Sequence, residues 1–350
     1  MNRYHTHIRN ILFVCILGGT ILAISCSKVG PVPDFVYSYD FKPNLPTPDV
    51  SSVDAQTVVI NPGDVDTQGW SDLASAILNP TQAKLYAAAV DQVLDASQET
   101  YWIGQTPNSI RTALEGGNAT AQNQVSLARS DFQSNSLLSP LLPALLGATG
   151  SLSSARISSR SRVMQPEQLF GFHFAQSQSE FDDCRQAAQD AYDIARNYLD
   201  SAQAAQLQLI NTTYNTEFPL VESQRASLET NAQTRYNDRL TIFLNIHTGV
   251  ASTISSLFSA SDITANERDL LNMANVILYA FSVQDNLTLR NQELGLINSL
   301  LGQATTNINN ARNNLITNVN RNYNGEINRI NNLLLSIQSS CHNQGGVNTS

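Results

Sequence analysis

From about residue 177 onward, apolar side chains recur at every third or fourth position with few breakers between them. Phe181, Ala188, Ala191, Ala195, Tyr198, Ala202, Leu209 and Tyr214 mark a first stretch, over about 177–216. That spacing puts them on one face of a helix with 3.6 residues per turn. Pro219 suits the first position of a second helix, because its missing N–H would lack a partner there anyway. This second pattern runs to about 260, with a weak point at Thr248-Gly249. Thr264 and Glu267 have the spacing of a capping box and open a third helix. It is rich in Leu, Ile and Val up to Leu301, and Gly302 is placed to end it. The fourth pattern is "TTNINNARNNLITNVNRNYNGEINRINNLLLSI". Asn is a poor helix former. Even so, Ile308, Ala311, Leu315, Val319, Tyr323, Ile327, Ile330, Leu334 and Ile337 keep helical time. Asn324-Gly325 is a turn dipeptide, but the stripe keeps phase across it, which predicts a helix that runs through or kinks there.

The four patterns are of similar length, roughly 55–60 Å each at 1.5 Å per residue. Matched lengths with short connections predict an antiparallel four-helix bundle, up-down-up-down, over 166–345. Residues 71–165 read as a region of short helices. Ser71 is placed to cap one, Asn79-Pro80 separates it from the next, and that next one extends to about Thr100. Others start near Pro107, ending at Gly116-Gly117, and cover about 119–134. "LLSPLLPALLGATG" (Leu137–Gly150) is strongly apolar, but Pro140 and Pro143 deny it a regular helix. It is expected as a buried connection; the alternative is a loop that touches a membrane or a partner. Residues 26–70 carry Pro31, Pro33, Pro43, Pro46, Pro48 and Pro62 and read as an extended tether. Within it, Phe35–Phe41 and Thr57–Ile60 could pair as short strands or lie along a partner, and most of the segment is expected as a solvated linker. The expected fold class is all-α: the long bundle, preceded by the short-helix cluster and the tether.

The first 25 residues read as a signal peptide. Arg3, His5, His7 and Arg9 precede the apolar run Ile11–Ile24, which is too short to cross a bilayer, a task that needs about 20 residues. The run ends in Leu22-Ala23-Ile24-Ser25-Cys26. This resembles the lipobox of bacterial lipoproteins, with Ala23 where that motif usually has Leu. The resemblance covers residues 1–27 only. It implies cleavage before Cys26 and diacylation of its sulfur, and two or three acyl chains give the firm anchoring that one cannot. An ordinary signal cut nearby, or an uncleaved anchor helix, is the alternative. Ser27 rather than Asp after the cysteine resembles lipoproteins sorted to the outer membrane. No acidic run follows, which favours the periplasmic face.

Charge and cysteine content narrow the picture. The formal charge is −9, and removing Arg3 and Arg9 with the signal makes it −11. An acidic chain with no basic patch is a poor partner for nucleic acid or for an anionic membrane surface. Charged residues are only 14%, against roughly 25% in an average domain. Asn, Gln, Ser and Thr supply the polarity instead. Neutral amide faces suit dense protein assemblies and buried Asn fixes register in helical bundles; compositional drift on an exposed bundle accounts for the same residues. With Cys15 in the signal and Cys26 lipidated, Cys184 and Cys341 remain, an even pair in an oxidising compartment. A bond between them is expected, with two buried free thiols as the alternative. In the four-helix topology both lie at the same end of the bundle.

Candidate chemistry is sparse. His173, His247 and His342 have no His, Cys or carboxylate at metal-site spacing, and the Glu-x-x-His pairs of di-iron bundles do not occur. There is no G-x-S-x-G, P-loop or G-x-G-x-x-G. Asp182 and Asp183 beside Cys184 would raise a thiol pKa, the wrong direction for a nucleophile. Asp190, Asp193 and Asp200 spread around a helix as a solvated face. Trp70, Tyr101 and Trp102 are either a sugar platform or packing residues. The N-x-S/T triplets at Asn118, Asn211, Asn286 and Asn348 are what chance gives in so Asn-rich a chain. No catalytic residue, cofactor, metal or small-molecule substrate is identified. The expectation is a non-enzymatic lipoprotein held by its N-terminus at the outer membrane. Its partners would be envelope proteins or further copies of itself. An α-helical membrane-active or pore-forming protein is the alternative.

Overall fold

The computed structural model describes residues 39–154 and 180–341. Cys26, His173, His342 and Phe35 lie outside the described residues. The described chain is mostly helical, in agreement with the expected class. It divides into two compact units. One contains 39–45, 180–201 and 323–341; the other contains 46–154 and 202–322.

Five short helices come first: α1 (Gln68–Ala76), α2 (Pro80–Val93), α3 (Ala96–Trp102), α4 (Pro107–Glu115) and α5 (Ala119–Ser134). Their ends follow local chemistry. Asn79 caps α2 through Thr81 N, with Pro80 inside the first turn. Asp95 and Gln98 make a capping box for α3, which is why the single helix expected up to Thr100 is in fact two. Thr106 with Ser109, and Asn118, cap α4 and α5.

Two very long helices follow, α6 (Glu180–Ser259) and α7 (Ala265–Ser340). This corrects the four-helix bundle: the four expected helices are two. Pro219 lies inside α6, where it removes one backbone hydrogen bond and costs about 3 kcal/mol. Phe218 stacks on Tyr214 beside it, ring centroids 5.3 Å apart. Gly302 and Asn324-Gly325 lie inside α7. Each glycine costs only about 1 kcal/mol in a helix, and the apolar stripe around Gly302 (Leu300, Leu301, Ala304 and Ile308) is buried. Burial outweighs propensity. The break that does occur is at the predicted capping box: Thr264 N donates to Glu267 Oε2 at 2.7 Å and Glu267 N to Thr264 Oγ1 at 3.2 Å.

In the second unit α6 and α7 run antiparallel, and amides form the rungs between them. Gln203 donates to Asn320 at 2.9 Å, Arg312 to Asn211 at 2.8 Å and Tyr214 to Asn309 at 2.9 Å. Arg225 pairs with Asn298 further along. The Asn-rich pattern thus has a use: its amides receive donors from the facing helix and set its register.

Burial divides this second unit into a tip and a stem. At the tip, Leu270–Val283 of α7 is buried almost without interruption. A helix apolar on all sides must be covered on all sides. α6 residues such as Phe243, Val250 and Ile254 and the short helices together form one core with it. In the stem, 202–234 of α6 and 294–322 of α7, the core thins to two small clusters. They centre on Val221, Ile297 and Leu301, and on Val50, Ile210 and Val319.

Residues 46–66 were expected as solvated tether, but they are packed along this helix pair. Val50, Val53, Val58 and Val65 are buried. β1 (Gln56–Asn61) pairs antiparallel with β4 (Thr149–Ser154), and β2 (Asp64–Asp66) with β3 (Ala144–Leu146). The strand character of Thr57–Ile60 was legible; its partner strand was not. Gln224 of α6 serves the other side of β1, accepting from Val58 N and donating to Gln56 O, both at 2.8 Å. Leu138 and Leu141 of the apolar connection are buried in the tip core.

In the first unit, Cys184 and Cys341 form a disulfide with Cα atoms 6.1 Å apart, as expected. Tyr39 OH lies 3.0 Å from Cys184 Sγ. Phe41 is buried edge-on to Tyr192, and Arg329 donates to the Phe41 and Lys42 carbonyls at 2.8 and 3.0 Å. The segment here is therefore packed as well.

Candidate functional site

Polar groups that fold into an apolar core cost free energy unless fully paired, so buried ones are where a site would show itself. The tip holds three sets. Trp70 Nε1 donates to Asn275 Oδ1 at 3.0 Å, and Asn275 Nδ2 donates to the His247 carbonyl at 2.9 Å. Both Trp70 and Asn275 are fully buried. One helical turn beyond Leu289, Glu293 is also fully buried between two arginines. Arg235 Nε lies 2.9 Å from Oε2 and Arg239 Nη2 3.4 Å from Oε1. Arg239 continues the network through Nε to Asn286 Oδ1 at 2.7 Å and through Nη1 to the Gly63 carbonyl at 3.2 Å. Asn286 Nδ2 closes it on the Tyr236 carbonyl at 2.9 Å. Gly63 is required there, because a Cβ would sit 2.0 Å from the Leu146 carbonyl oxygen. In the third set Arg129 donates to Asp285 at 2.8 Å and lies over the Phe281 ring.

These environments shift titration. Burial raises the Asp285 pKa, with Arg129 opposing it. Burial raises Tyr236 too, and its hydroxyl donates to Glu115 at 2.8 Å. Burial lowers His247, whose ring lies edge-on to Tyr279. A catalytic carboxylate needs a face toward substrate. Glu293 has none, since both its oxygens are held by arginine and the residue has no exposure. The arrangement does mechanical work: it fixes how α6, α7 and the β1–β2 turn at Gly63 meet.

The cleft beside α3 is small, about 160 Å³, and lined by Trp102, Ile103, Gln105, Asp269, Asn272, Met273 and Val276. That is below the roughly 300–1,000 Å³ of small-molecule sites. Trp70 and Trp102 are buried, and Tyr101 packs edge-on against Trp102. They are packing residues and do not present a sugar platform. Among the described residues no group of three His, Cys, Asp or Glu side chains could hold a metal ion. Asp190 and Asp193 accept from Gln186 and Gln189 one turn earlier in the first unit, and Asp200 accepts from Tyr323.

Sequence reasoning missed the Arg235–Glu293–Arg239–Asn286 set. The available signal was three ionisable residues at positions where the apolar stripes of two helices call for core. The comparisons with family models, curated proteins and solved structures find no match for this chain.

Proposed function

We propose that this chain is a non-enzymatic lipoprotein of the cell envelope. Lipid on Cys26 holds it at the outer membrane, on the periplasmic face, and its helices serve as a structural or interaction subunit. The observation that carries this reading is the apolar run Ile11–Ile24 ending in Ser25-Cys26, which resembles a lipobox. Two features support the rest. The Cys184–Cys341 bond suits an oxidising compartment. The buried polar groups of the tip spend their hydrogen bonds on holding helices together.

A membrane-active protein is the second reading. One observation favours it: α6 contains an 18-residue window of mean hydropathy 1.2, apolar enough by composition to cross a bilayer. The exposed face of that region, however, is mostly Ser, Thr and Asn around Ile242 and Leu244, which suits a protein partner better than lipid.

The test is palmitate labelling of the full chain in its native host, with capture of what accompanies it from mildly solubilised envelopes. Label that disappears in Cys26→Ala, with a partner in fixed stoichiometry, is the expected result. Label that persists in Cys26→Ala would sink the anchor.

A further inference from the structure

The stem of the second unit is short of core, yet it is not polar in the ordinary way. Its two helix segments, 202–234 and 294–322, contain Glu217, Glu222, Glu229, Arg225, Arg312 and Arg321 as their charged residues. Three acids and three bases sum to zero on a chain whose net charge is −9. Every one of the six is already engaged within the chain. Glu217 accepts from Ala55 N at 3.1 Å and Glu222 from Thr305 at 3.3 Å. Arg225 meets Glu229 and Asn298. Arg312 holds Asn211, and Arg321 holds Asn318. What the two helices offer outward is mostly uncharged, with Thr212, Asn215, Ser223 and Ala226 on α6 and Thr306, Asn310, Asn313 and Thr317 on α7; the exposed charges, Glu222 and Arg321, are of opposite sign.

The apolar pattern is that of a bundle with more helices than this chain supplies. Leu209, Phe218, Leu296, Leu315 and Ile316 are only partly buried, and Leu220 is 45% exposed. Two helices and one strap leave these side chains half in water.

From these two observations we infer that the stem is a self-association surface, on which a second copy of this chain lays its own stem to complete a four-helix layer. The charge distribution selects this occupant. Two identical acidic chains repel everywhere except where charge is absent or balanced, and an identical copy brings an equally neutral face. A basic partner would find no net negative charge on the two helices to meet, and a bilayer would strip water from a surface of Thr and Asn at high cost. The size is adequate. The stem is roughly 50 Å long at ~1.5 Å per residue. A two-helix face about 15 Å wide then buries ~750 Å² per copy, close to the ~800 Å² per partner of a stable interface. The inference deepens the subunit reading by naming the chain itself as partner, and it does not depend on the lipid at Cys26.

The test is sedimentation equilibrium of the purified full chain in density-matched detergent, from about 1 to about 100 μM, beside a Leu220→Glu/Ala226→Glu variant. Both positions are exposed, so circular dichroism should report unchanged helix. The wild-type mass is expected to rise to two chains, and the added like charges should weaken association at least tenfold. A wild type that stays monomeric over this range overturns the inference. So does a variant that keeps its helix and still associates as wild type. Binding of the monomer to phosphatidylglycerol vesicles, lost in the same variant, would assign the face to lipid and equally overturn it. Loss of palmitate label with association intact would remove the anchor and leave this inference standing.

Discussion

The tip and the stem of the second unit are made from the same two helices and are stabilised differently. At the tip α7 is surrounded: Ile277, Leu278, Ala280, Phe281 and Val283 have no exposure, and five short helices supply the cover. Along the stem the same helix has one partner helix and one extended strap. Register there is held by Gln203–Asn320, Arg312–Asn211 and Tyr214–Asn309. A neutral hydrogen bond contributes about 1 kcal/mol net, whereas burying one large apolar side chain contributes about 1.5–3 kcal/mol. The tip is therefore the part that folds by its own burial. The stem uses amide rungs for specificity and leaves apolar surface unspent.

Mutations should separate the two regions. The largest effect is expected for Phe281→Ala at the tip, about 4 kcal/mol by urea unfolding, because Phe132 and the Arg129 guanidinium pack against that ring. Ile297→Ala in the stem should cost only about 2 kcal/mol, since a thin layer collapses more readily onto the gap. Equal costs would erase the distinction. Next is Glu293→Ala, about 3 kcal/mol, because it strands Arg239, which is 7% exposed, without its carboxylate. Replacing both Cys184 and Cys341 by Ser should cost about 2 kcal/mol. Proteolysis should then begin in the first unit, with the tip core intact. Pro219→Ala should raise stability by about 2 kcal/mol, because it restores a hydrogen bond inside α6 while giving up the entropy that proline removes from the unfolded chain.

The smallest effect concerns pH. Burial depresses the His247 pKa below its ordinary 6.5, so the folded state prefers the neutral ring. Its contribution to stability is full above that value and falls as pH drops through it toward the folded pKa. Asp285 works in the opposite sense, because its raised pKa favours the folded state in acid. Its window lies lower, above 3.8. Between about pH 7.5 and pH 5.5 the melting temperature of wild type should therefore fall more than that of His247→Gln.

How much of this was readable in the sequence differs between the same regions. The helix starts at Pro80, Pro107, Ala119 and Ala265 were legible, because capping is local: Asn79, Thr106, Asn118 and Thr264 act on backbone within four residues. The Cys184–Cys341 bond was legible because compartment and helix ends both pointed to it. The merging of four helices into two was not, because Pro219 and Gly302 carry strong local signals that only long-range burial overrides. The pairing of β1 with β4, some 90 residues apart, has no local signature. The Glu293 network was hidden for a similar reason: a carboxylate on a helix reads as surface until the facing arginines are placed beside it.

The most direct measurement is native-state hydrogen exchange of the full chain at two protein concentrations about a hundredfold apart. The account predicts that the amides of 271–283 exchange only through global unfolding at both concentrations. Stem amides in 202–232 and 302–320 should exchange through local opening when dilute, and gain protection as concentration rises. Stem amides as slow as those of the tip in the dilute sample would contradict it, for they would show a stem that needs nothing beyond its own two helices.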